Sequence, residues 1–462
     1  MSFYDAIRVG ASGAADFEVE RSLRFNSSDS AYLQRTPSSA GNRQICTFSC
    51  WVKRSNLNTT NCLASAYSAN NNSDNISMNL RELGSGNCEF RVTGYFHDFR
   101  KTTRLFRDVS AWYHIVVAFD TTQSSADDRI KIYINGVQET SFSVSGNVTQ
   151  NMNIAFNDTS VHRIGTQSNS LSNYVDGYMA EINFIDGQQL TPSSFGETNS
   201  DTGQWVPIDT SGLTFGTNGY RLKFADNSGT SATTLGKDSS GNGNNFTPNN
   251  FVTGDAVKDT PTNNFAILRM MGTPFSSGAS LSEGNLKLVT GSSGSARNLN
   301  RQAFAPMLVN SGKWYAEFVG TASDNSNFIG VGSYQVMISP TANNTRYAYV
   351  YSDGDSYLNT NGSESIATYG GGIPVNNVVG VYLDMDASPP VVYFSSNGQW
   401  ADGSGNFDES SPTAGLTLGN SFFTTDTGGN DGFATFIISS AGGSYNMTIH
   451  ANFGQDSTFA GL

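Results

Sequence analysis

Charge is scarce in this chain, and positive charge is scarcest. Charged residues make up 14% of the 462 positions, and 26 Lys and Arg stand against 39 Asp and Glu, a net charge of −13. A free polyanion neither steers toward nucleic acid nor gains from counterion release on it, so no nucleic-acid partner is expected. Binding to anionic membranes is disfavoured for the same reason, and no apolar run approaches the roughly 20 residues of a spanning helix, so no membrane insertion is expected. Residues 1–20, MSFYDAIRVGASGAADFEVE, lack a basic start followed by an apolar stretch, so no secretory signal is expected. Cysteine is rare, with four residues, all in the first quarter. Cys46 and Cys50 lie four positions apart on one strand, roughly 13 Å, too far for a disulfide, and read as small buried apolar residues. Cys62 and Cys88 could pair, although nothing in the sequence requires it. No C-x-x-C with histidine occurs, which argues against a zinc site.

Catalytic patterns are also missing. The four histidines, His97, His114, His162 and His450, are scattered, and His114 lies in an apolar strand as a structural histidine would. There is no G-x-S-x-G elbow. A jelly-roll glycosidase needs paired carboxylates about 5–9 Å apart, and the E-x-D-x-E strand that would supply them is absent. Asp384 and Asp386 share a face but read as structural or solvated. A non-enzymatic protein is expected, with no catalytic residues.

What is present is strand and turn chemistry. Aromatic residues at 12% can fill sizeable cores, and 48 glycines among abundant Ser, Thr and Asn suit many short strands joined by turns. The stretch Ala111–Val137 organises the first half. Trp112–Phe119 is apolar except at His114 and reads as a strand buried on both faces. The next strand alternates, with Ile130, Ile132 and Ile134 on one face and Lys131 and Tyr133 on the other. Asn135-Gly136 supplies the positive-φ residues of a type I′ hairpin turn. In GYMAEINFI, Tyr178, Ala180, Ile182 and Phe184 are expected to face inward, with Glu181 and Asn183 outward. The fold class expected is all-β: two antiparallel β-sandwich (jelly-roll) domains in tandem with a structured connector. The boundaries expected are an N-terminal anchoring peptide at 1–20, a jelly roll at 21–195, a connector at 196–263 and a second sandwich at 264–462. The connector is not plain linker, since Trp205, Phe215, Tyr220, Leu222 and Phe224 are spaced like strands that must bury something.

Several motifs, in order, resemble known families. W-Y-H-I-V at Trp112–Val116, I-Y-I-N-G-V at Ile132–Val137, Ile164-Gly165, G-Y-M-A-E-I at Gly177–Ile182 and Leu190-Thr191 resemble laminin-G-like, concanavalin-A-like jelly rolls. Ala180 departs from the pattern, standing where such proteins often have Asp. G-K-W-Y-A-E-F at Gly312–Phe318, Gly330-Val331-Gly332, V-V-G-V-Y-L-D at Val378–Asp384, Val392-Tyr393-Phe394, Asn397-Gly398 and Asn452-Phe453-Gly454 resemble SPRY domains, which bind partners through loops. The pairing of the two, with Y-D-A-I-R-V-G-A-S-G-A at the start, resembles virion structural proteins of marine tailed bacteriophages. In that group more chain often follows the N-F-G-Q segment, whereas this sequence stops soon after it, at Leu462.

The resemblance implies a virion protein assembled in the host cytoplasm. The role expected is a tail fibre or adhesion appendage that recognises host cell-surface glycan, with capsid decoration or capsid fibre as the alternative. A polysaccharide depolymerase and a free secreted lectin are alternatives of other kinds. The partners expected are other virion proteins of tail or capsid, the glycan, and further copies of the chain in a homo-oligomer. The candidate virion anchor is Tyr4, Asp5, Ile7, Arg8 and Val9. Sugar rings stack on aromatic faces, and Tyr349, Tyr351, Asp353, Asp355, Tyr357 and Trp400 are the candidate glycan contacts, with Tyr95, Phe96 and Tyr174 as further exposed aromatics. D-S-S-G-N-G-N at Asp238–Asn244 resembles a loop of laminin-G-like domains. Asp238, Asn242 and Asn244 are candidate oxygen ligands for calcium, the one cofactor considered.

Overall fold

The computed structural model describes residues 17–67, 75–94, 97–146, 148–270, 279–290, 303–321, 327–334, 346–351, 356–360, 363–367, 376–423, 432–440, 447–456 and 459. The chain divides into two compact units, the first ending at Asn264 and the second beginning at Phe265.

Among the described residues, the first unit is a sandwich of two eight-stranded antiparallel sheets. One sheet runs, in spatial order, through Val137–Gln138, Ile130–Ile134, Trp112–Asp120, Ile45–Arg54, Gly177–Asp186, Ser22–Phe25 and Ala256–Val257, with Tyr220–Leu222 also paired to Gly177–Asp186. The other runs through Phe142–Ser145, Asp98–Leu105, Cys88–Gly94, Ile76–Glu82, Asn61–Tyr67, Val161–Ile164, Tyr32–Arg35 and Thr247–Asn249. The core between them takes alternate residues of each strand, among them Phe48, Cys50, Val117 and Ile132 from one side and Met78, Leu80, Phe90 and Ile164 from the other. The two strands of the organising stretch pair, Ile115 opposite Ile134 and Val117 opposite Ile132, and Asn135 and Gly136 both adopt positive φ, 50° and 81°.

The half-buried alternation expected for Ile130–Ile134 does not hold, because the outer face is covered as well. Tyr133 joins a second small core with Val116, Ala118, Ile185, Phe195 and Phe215. The Gly177–Asp186 strand also departs from simple alternation. Its register shifts between Ala180 and Asn183, where Glu181 takes a φ of 42°. This β-bulge inserts one residue and swaps the faces, so Met179 points into the main core before it and Ile182 and Phe184 after it. Tyr178, expected inward, lies instead against Trp112 and under the Lys53 ammonium.

Residues 196–263 are part of this sandwich rather than a connector. They add Tyr220–Leu222 and Ala256–Val257 to one sheet and Thr247–Asn249 to the other, and they place Phe224, Leu235, Phe246 and Phe251 in the main core. Residues 17–20, assigned above to an anchoring peptide, are also tied to this unit: Val19 is buried and its N–H donates to Thr262 Oγ1 at 3.0 Å. A buried ion pair reinforces the same region. Lys53 Nζ meets Asp259 Oδ2 at 2.8 Å and Asn264 Oδ1 at 2.7 Å, while Trp112 Nε1 donates to Asp259 Oδ1. All four cysteines are buried and unbridged.

Among the described residues, the second unit has a seven-stranded and a nine-stranded antiparallel sheet. Lys313–Gly320, Val378–Asp384 and Val391–Ser396 lie side by side in the larger one, with Gln399–Ala401 outside them. Asn327–Ser333, Arg346–Tyr351 and Ala434–Ser440 form the centre of the smaller. Phe318 of the larger sheet packs 6.4 Å from Phe436 of the smaller, and Phe453 packs against both. Asn420–Phe423 is the one α-helix among the described residues.

Candidate functional site

The most distinctive polar surface of the first unit lies on the outer face of the sheet that contains Asn61–Tyr67. Strand alternation sends one residue in two to this face, and cross-strand register lines them up. Gln34, Arg163, Ser65, Ser77, Thr93 and Asp98 are successive partners across six strands. Leu33, Ile164, Ala66, Met78 and Val92, their neighbours in sequence, point into the core. The row is almost uncharged at its centre and consists of hydroxyls.

Over that centre sits a pocket of about 80 Å³, lined by Ser65, Tyr67, Asn75, Ser77, Thr93, Gln167, Ser168 and Asn169. It has room for several waters or for the edge of one sugar ring. Its hydroxyls are held by a defined network. Ser65 Oγ donates to Thr166 O at 2.8 Å, and Ser168 Oγ lies 2.7 Å from Ser65 Oγ. Ser77 Oγ and Thr93 Oγ1 are 2.8 Å apart, and Asn79 Nδ2 donates to Ser77 Oγ at 3.0 Å. The bond between Ser77 and Thr93 uses one of their two hydroxyl protons, which leaves the other to donate to a ligand.

An arginine braces the pocket, and two aromatic rings lie on the far side of that arginine. Arg163, opposite Ser65, holds its guanidinium 5.6 Å from the centre of the Tyr32 ring, and Tyr32 lies 6.3 Å from Tyr174. Arg163 Nε donates to Gln34 Oε1 at 3.0 Å and Nη1 donates to Ser168 O, so the same side chain braces the loop that carries Ser168. Of the exposed aromatics named from sequence, Tyr174 is therefore brought to this face, while Tyr95 and Phe96 lie outside the described residues. Sequence reasoning missed Ser77, Thr93, Arg163 and Tyr32. The signal available was the alternation of Ser77 and Asn79 with Ile76, Met78 and Leu80.

Among the candidate glycan residues of the second unit, Tyr349 and Trp400 are the two whose side chains are described. Tyr349 is a core residue, stacked on Phe328 with ring centres 3.9 Å apart and buried from solvent, and it cannot meet a sugar. Tyr351 and Tyr357 lie on adjacent strands, Arg346–Tyr351 and Ser356–Thr360, but their side chains are outside the described residues, as are Asp353 and Asp355. Trp400 is half-buried and lies 6.2 Å from Tyr315 and 6.1 Å from Tyr382, on the outer face of the larger sheet. Asp384 is structural: its Oδ1 accepts the N–H groups of Asp386 and Ala387, and Asp386 accepts the N–H of Gly312. The candidate anchor residues Tyr4, Asp5, Ile7, Arg8 and Val9 lie outside the described residues.

The Asp238 loop does not fit calcium. Asp238 Oδ1 accepts the N–H of Arg221 at 2.9 Å and of Ser240 at 2.8 Å, and Oδ2 accepts Ser240 Oγ–H and the N–H of Asn244, both at 2.8 Å. Asn242 and Asn244 turn their amide nitrogens to the carbonyls of Gly216, Thr217 and Gly219, and Asn244 Oδ1 accepts from the Arg35 guanidinium. The carboxylate is thus saturated by protein donors, and a cation, arginine, already occupies the neighbouring oxygen. The loop ties Tyr220–Leu222 to Thr247–Asn249 as an Asx-type turn does. Among the described residues no group of three or more His, Cys, Asp or Glu side chains could hold a metal ion.

Two buried histidines are equally well defined. His114 stacks on Trp51 with ring centres 4.7 Å apart, and Trp205 Nε1 donates to its Nδ1 at 2.9 Å. The proton therefore sits on Nε2 and is donated to Ser49 Oγ, also at 2.9 Å. His162 has the opposite tautomer, since Nε2 accepts the N–H of Asn157 and Nδ1–H is donated to Ser160 O. Burial lowers both pKa values, to about 3 for His114 and about 4 for His162.

Residues 26–195 match the family described as the concanavalin A-like lectin/glucanases superfamily. No curated protein matches the chain. Among solved structures, the chain is similar to an SAP-like pentraxin from Limulus polyphemus, at 14% identity over 38% of this chain and 80% of that one, with a TM-score of 0.31. It is similar to a protein from Bacteroides ovatus described as a putative carbohydrate binding protein, at 14% identity over 50% of this chain and 59% of that one, with a TM-score of 0.33. It is also similar to the SPRY domain of human HERC1, at 15% identity over 39% of this chain and 94% of that one, with a TM-score of 0.27. At such identities and scores these likenesses assign no activity to this chain.

Proposed function

We propose that this chain is a non-catalytic carbohydrate-binding protein whose first unit holds a sugar against the Ser65–Ser77–Thr93 row. The observation that carries the reading is the hydroxyl-lined pocket with one undirected proton on the Ser77–Thr93 pair and Arg163 bracing it. Neutral hydroxyl and amide groups at fixed positions are the partners that sugar hydroxyls require, and Tyr32 and Tyr174, beyond Arg163, offer ring faces. The match of residues 26–195 to a superfamily that includes lectins supports the same reading. The finer role is attachment of a phage particle to host surface glycan, as part of a tail fibre or similar appendage. That role rests on the sequence resemblance of the two units and the opening segment to virion proteins. Several copies per particle would turn weak sugar contacts into avidity.

The test is titration of the full chain against a panel of soluble glycans by calorimetry, with Thr93→Val and Arg163→Ala as variants. Binding that weakens at least tenfold in both, at unchanged melting temperature, supports the site. Equal binding by wild type and Thr93→Val refutes it. Mass spectrometry of purified particles, with and without deletion of residues 1–16, tests the virion role separately.

A further inference from the structure

The larger sheet of the second unit carries three tyrosines that no pocket or loop explains. Tyr315, Tyr382 and Tyr393 are direct cross-strand partners on its outer face. Tyr382 and Tyr393 stack at 5.5 Å with an interplanar angle of 26°, and Trp400 closes on Tyr382 and Tyr315 from the next strand. All four rings are half-exposed. Ala316, Phe318, Val381, Leu383, Val392 and Phe394, the alternate residues, fill the core, so the tyrosines are not needed there. Cross-strand aromatic pairing stabilises a sheet, but it does not require four large rings in one contiguous patch open to water.

Glycines make room for two of these rings against the sheet. A Cβ at Gly380 would stand 2.7 Å from the Tyr315 hydroxyl, and one at Gly415 would stand 2.7 Å from the Tyr393 ring. Tyr315 and Tyr393 therefore each lean over a glycine, and Tyr382 stands between them, stacked on Tyr393. Strands stand about 4.8 Å apart, so the three tyrosines cover about 10 Å, the length of roughly two linked pyranoses.

The polar surroundings narrow the occupant. Asp384, in the neighbouring row, faces Lys313 at 3.6 Å. Glu317 lies on the other side, accepting Tyr315 O–H at 3.1 Å and the Asn452 amide at 3.1 Å. Ser395 is buried to 1% exposure beside Gly380, with an Oγ that has no hydrogen-bond partner among the described residues. Aromatic faces are electron-rich and carboxylates only accept hydrogen bonds. The complement is a ligand with electropositive C–H faces and hydroxyl donors at its edges. An anionic chain would meet Asp384 and Asp386, and a purely apolar partner would strip water from the tyrosine hydroxyls without replacing their bonds.

We infer that the Tyr315–Tyr382–Tyr393 row with Trp400 is a second carbohydrate-binding surface, a platform for the C–H faces of consecutive neutral pyranoses in a linear glycan. It is separate from the pocket of the first unit and stands or falls without it. Two sugar sites on one chain would make each copy bivalent toward a polysaccharide.

The experiment is affinity electrophoresis of the full chain in gels containing hydroxyethylcellulose or laminarin as neutral probes, alginate as an anionic probe, or poly-lysine as a cationic one. Retardation by a neutral glucan is expected, lost at least tenfold in Tyr382→Ala and Tyr393→Ala and kept in Tyr382→Phe, which retains the ring. Thr93→Val should leave it unchanged, so a failed pocket and a failed platform give different patterns. Failure of both neutral glucans to retard the wild type overturns the inference. So does retardation that survives both alanine variants, or that occurs only with alginate or poly-lysine.

Discussion

Acid should destabilise the first unit from about pH 6.5 downward, because two histidines are held neutral inside it. His114 and His162 are buried, and each has one ring nitrogen facing an N–H donor, from Trp205 and from Asn157 respectively. Adding a proton to that nitrogen breaks the bond and buries a charge. With folded pKa values of about 3 and about 4 against 6.5 in the unfolded chain, the unfolded state binds more protons at every pH between. Stability therefore falls as pH falls below 6.5 and continues to fall toward the folded values. Each pKa unit is about 1.4 kcal/mol, so lowering the pH from 7 to 5 costs roughly 2 kcal/mol per histidine, or about 4 together. That is a large part of the 5–15 kcal/mol typical of a domain. Glu181 and Asp255, whose pKa values burial raises, act in the opposite direction below their own folded values, so the histidine effect is read as a difference. Urea unfolding followed by tryptophan emission, in which Trp51 and Trp205 report on His114 directly, should be measured at pH 7 and pH 5 for wild type, His114→Gln and His162→Gln. Each variant should lose about half of the wild-type pH dependence. A wild type equally stable at both pH values, or variants with the full wild-type dependence, would refute the reasoning.

Two further outcomes follow from buried charge. Lys53→Met leaves Asp259 charged and uncompensated at a site with no solvent exposure, and should cost about 3–5 kcal/mol in urea unfolding, with Lys53→Met/Asp259→Asn recovering part of it; a loss below about 1 kcal/mol would show that the pair is not a closed one. Asp238→Ala removes an acceptor of four hydrogen bonds and should destabilise by at least about 1–3 kcal/mol, while millimolar calcium should leave the wild-type melting temperature unchanged; a rise on adding calcium would overturn the reading of that loop as a closed turn.

Much of the architecture is legible in the sequence because strand alternation and turn chemistry are local. The Ile130–Ile134 strand, the Asn135-Gly136 turn and the strand motifs of both units all appear where the pattern places them. What local pattern cannot carry is what happens two strands away. Glu181 looks like an ordinary outward residue, yet its positive φ inserts a bulge that exchanges the roles of Tyr178 and Met179. Residues 196–263 announce buried aromatics, but not that these add strands to two sheets formed by the chain before them. Tyr349 stands near an Asp- and Asn-rich turn and so resembles a loop aromatic, whereas its ring is buried by stacking on Phe328 of the adjacent strand.

The sites follow the same logic. A search for binding residues along the sequence favours loops, where aromatic and polar residues cluster within one window, as at 349–362. Both surfaces argued above are built instead across strands. Ser65, Ser77 and Thr93 are each a routine outward residue of a separate strand, and so are Tyr315, Tyr382 and Tyr393. Each trio acquires meaning only from register, which sets them side by side about 4.8 Å apart. In a chain so poor in charge, rows of this kind are where ligand chemistry can be concentrated without like-charge repulsion, since hydroxyls and rings pack as cross-strand neighbours at no electrostatic cost. A one-residue slip of the Val378–Asp384 strand would send Tyr382 to the core face and Val381 or Leu383 to solvent. The apolar packing that fixes the fold therefore fixes the platform as well.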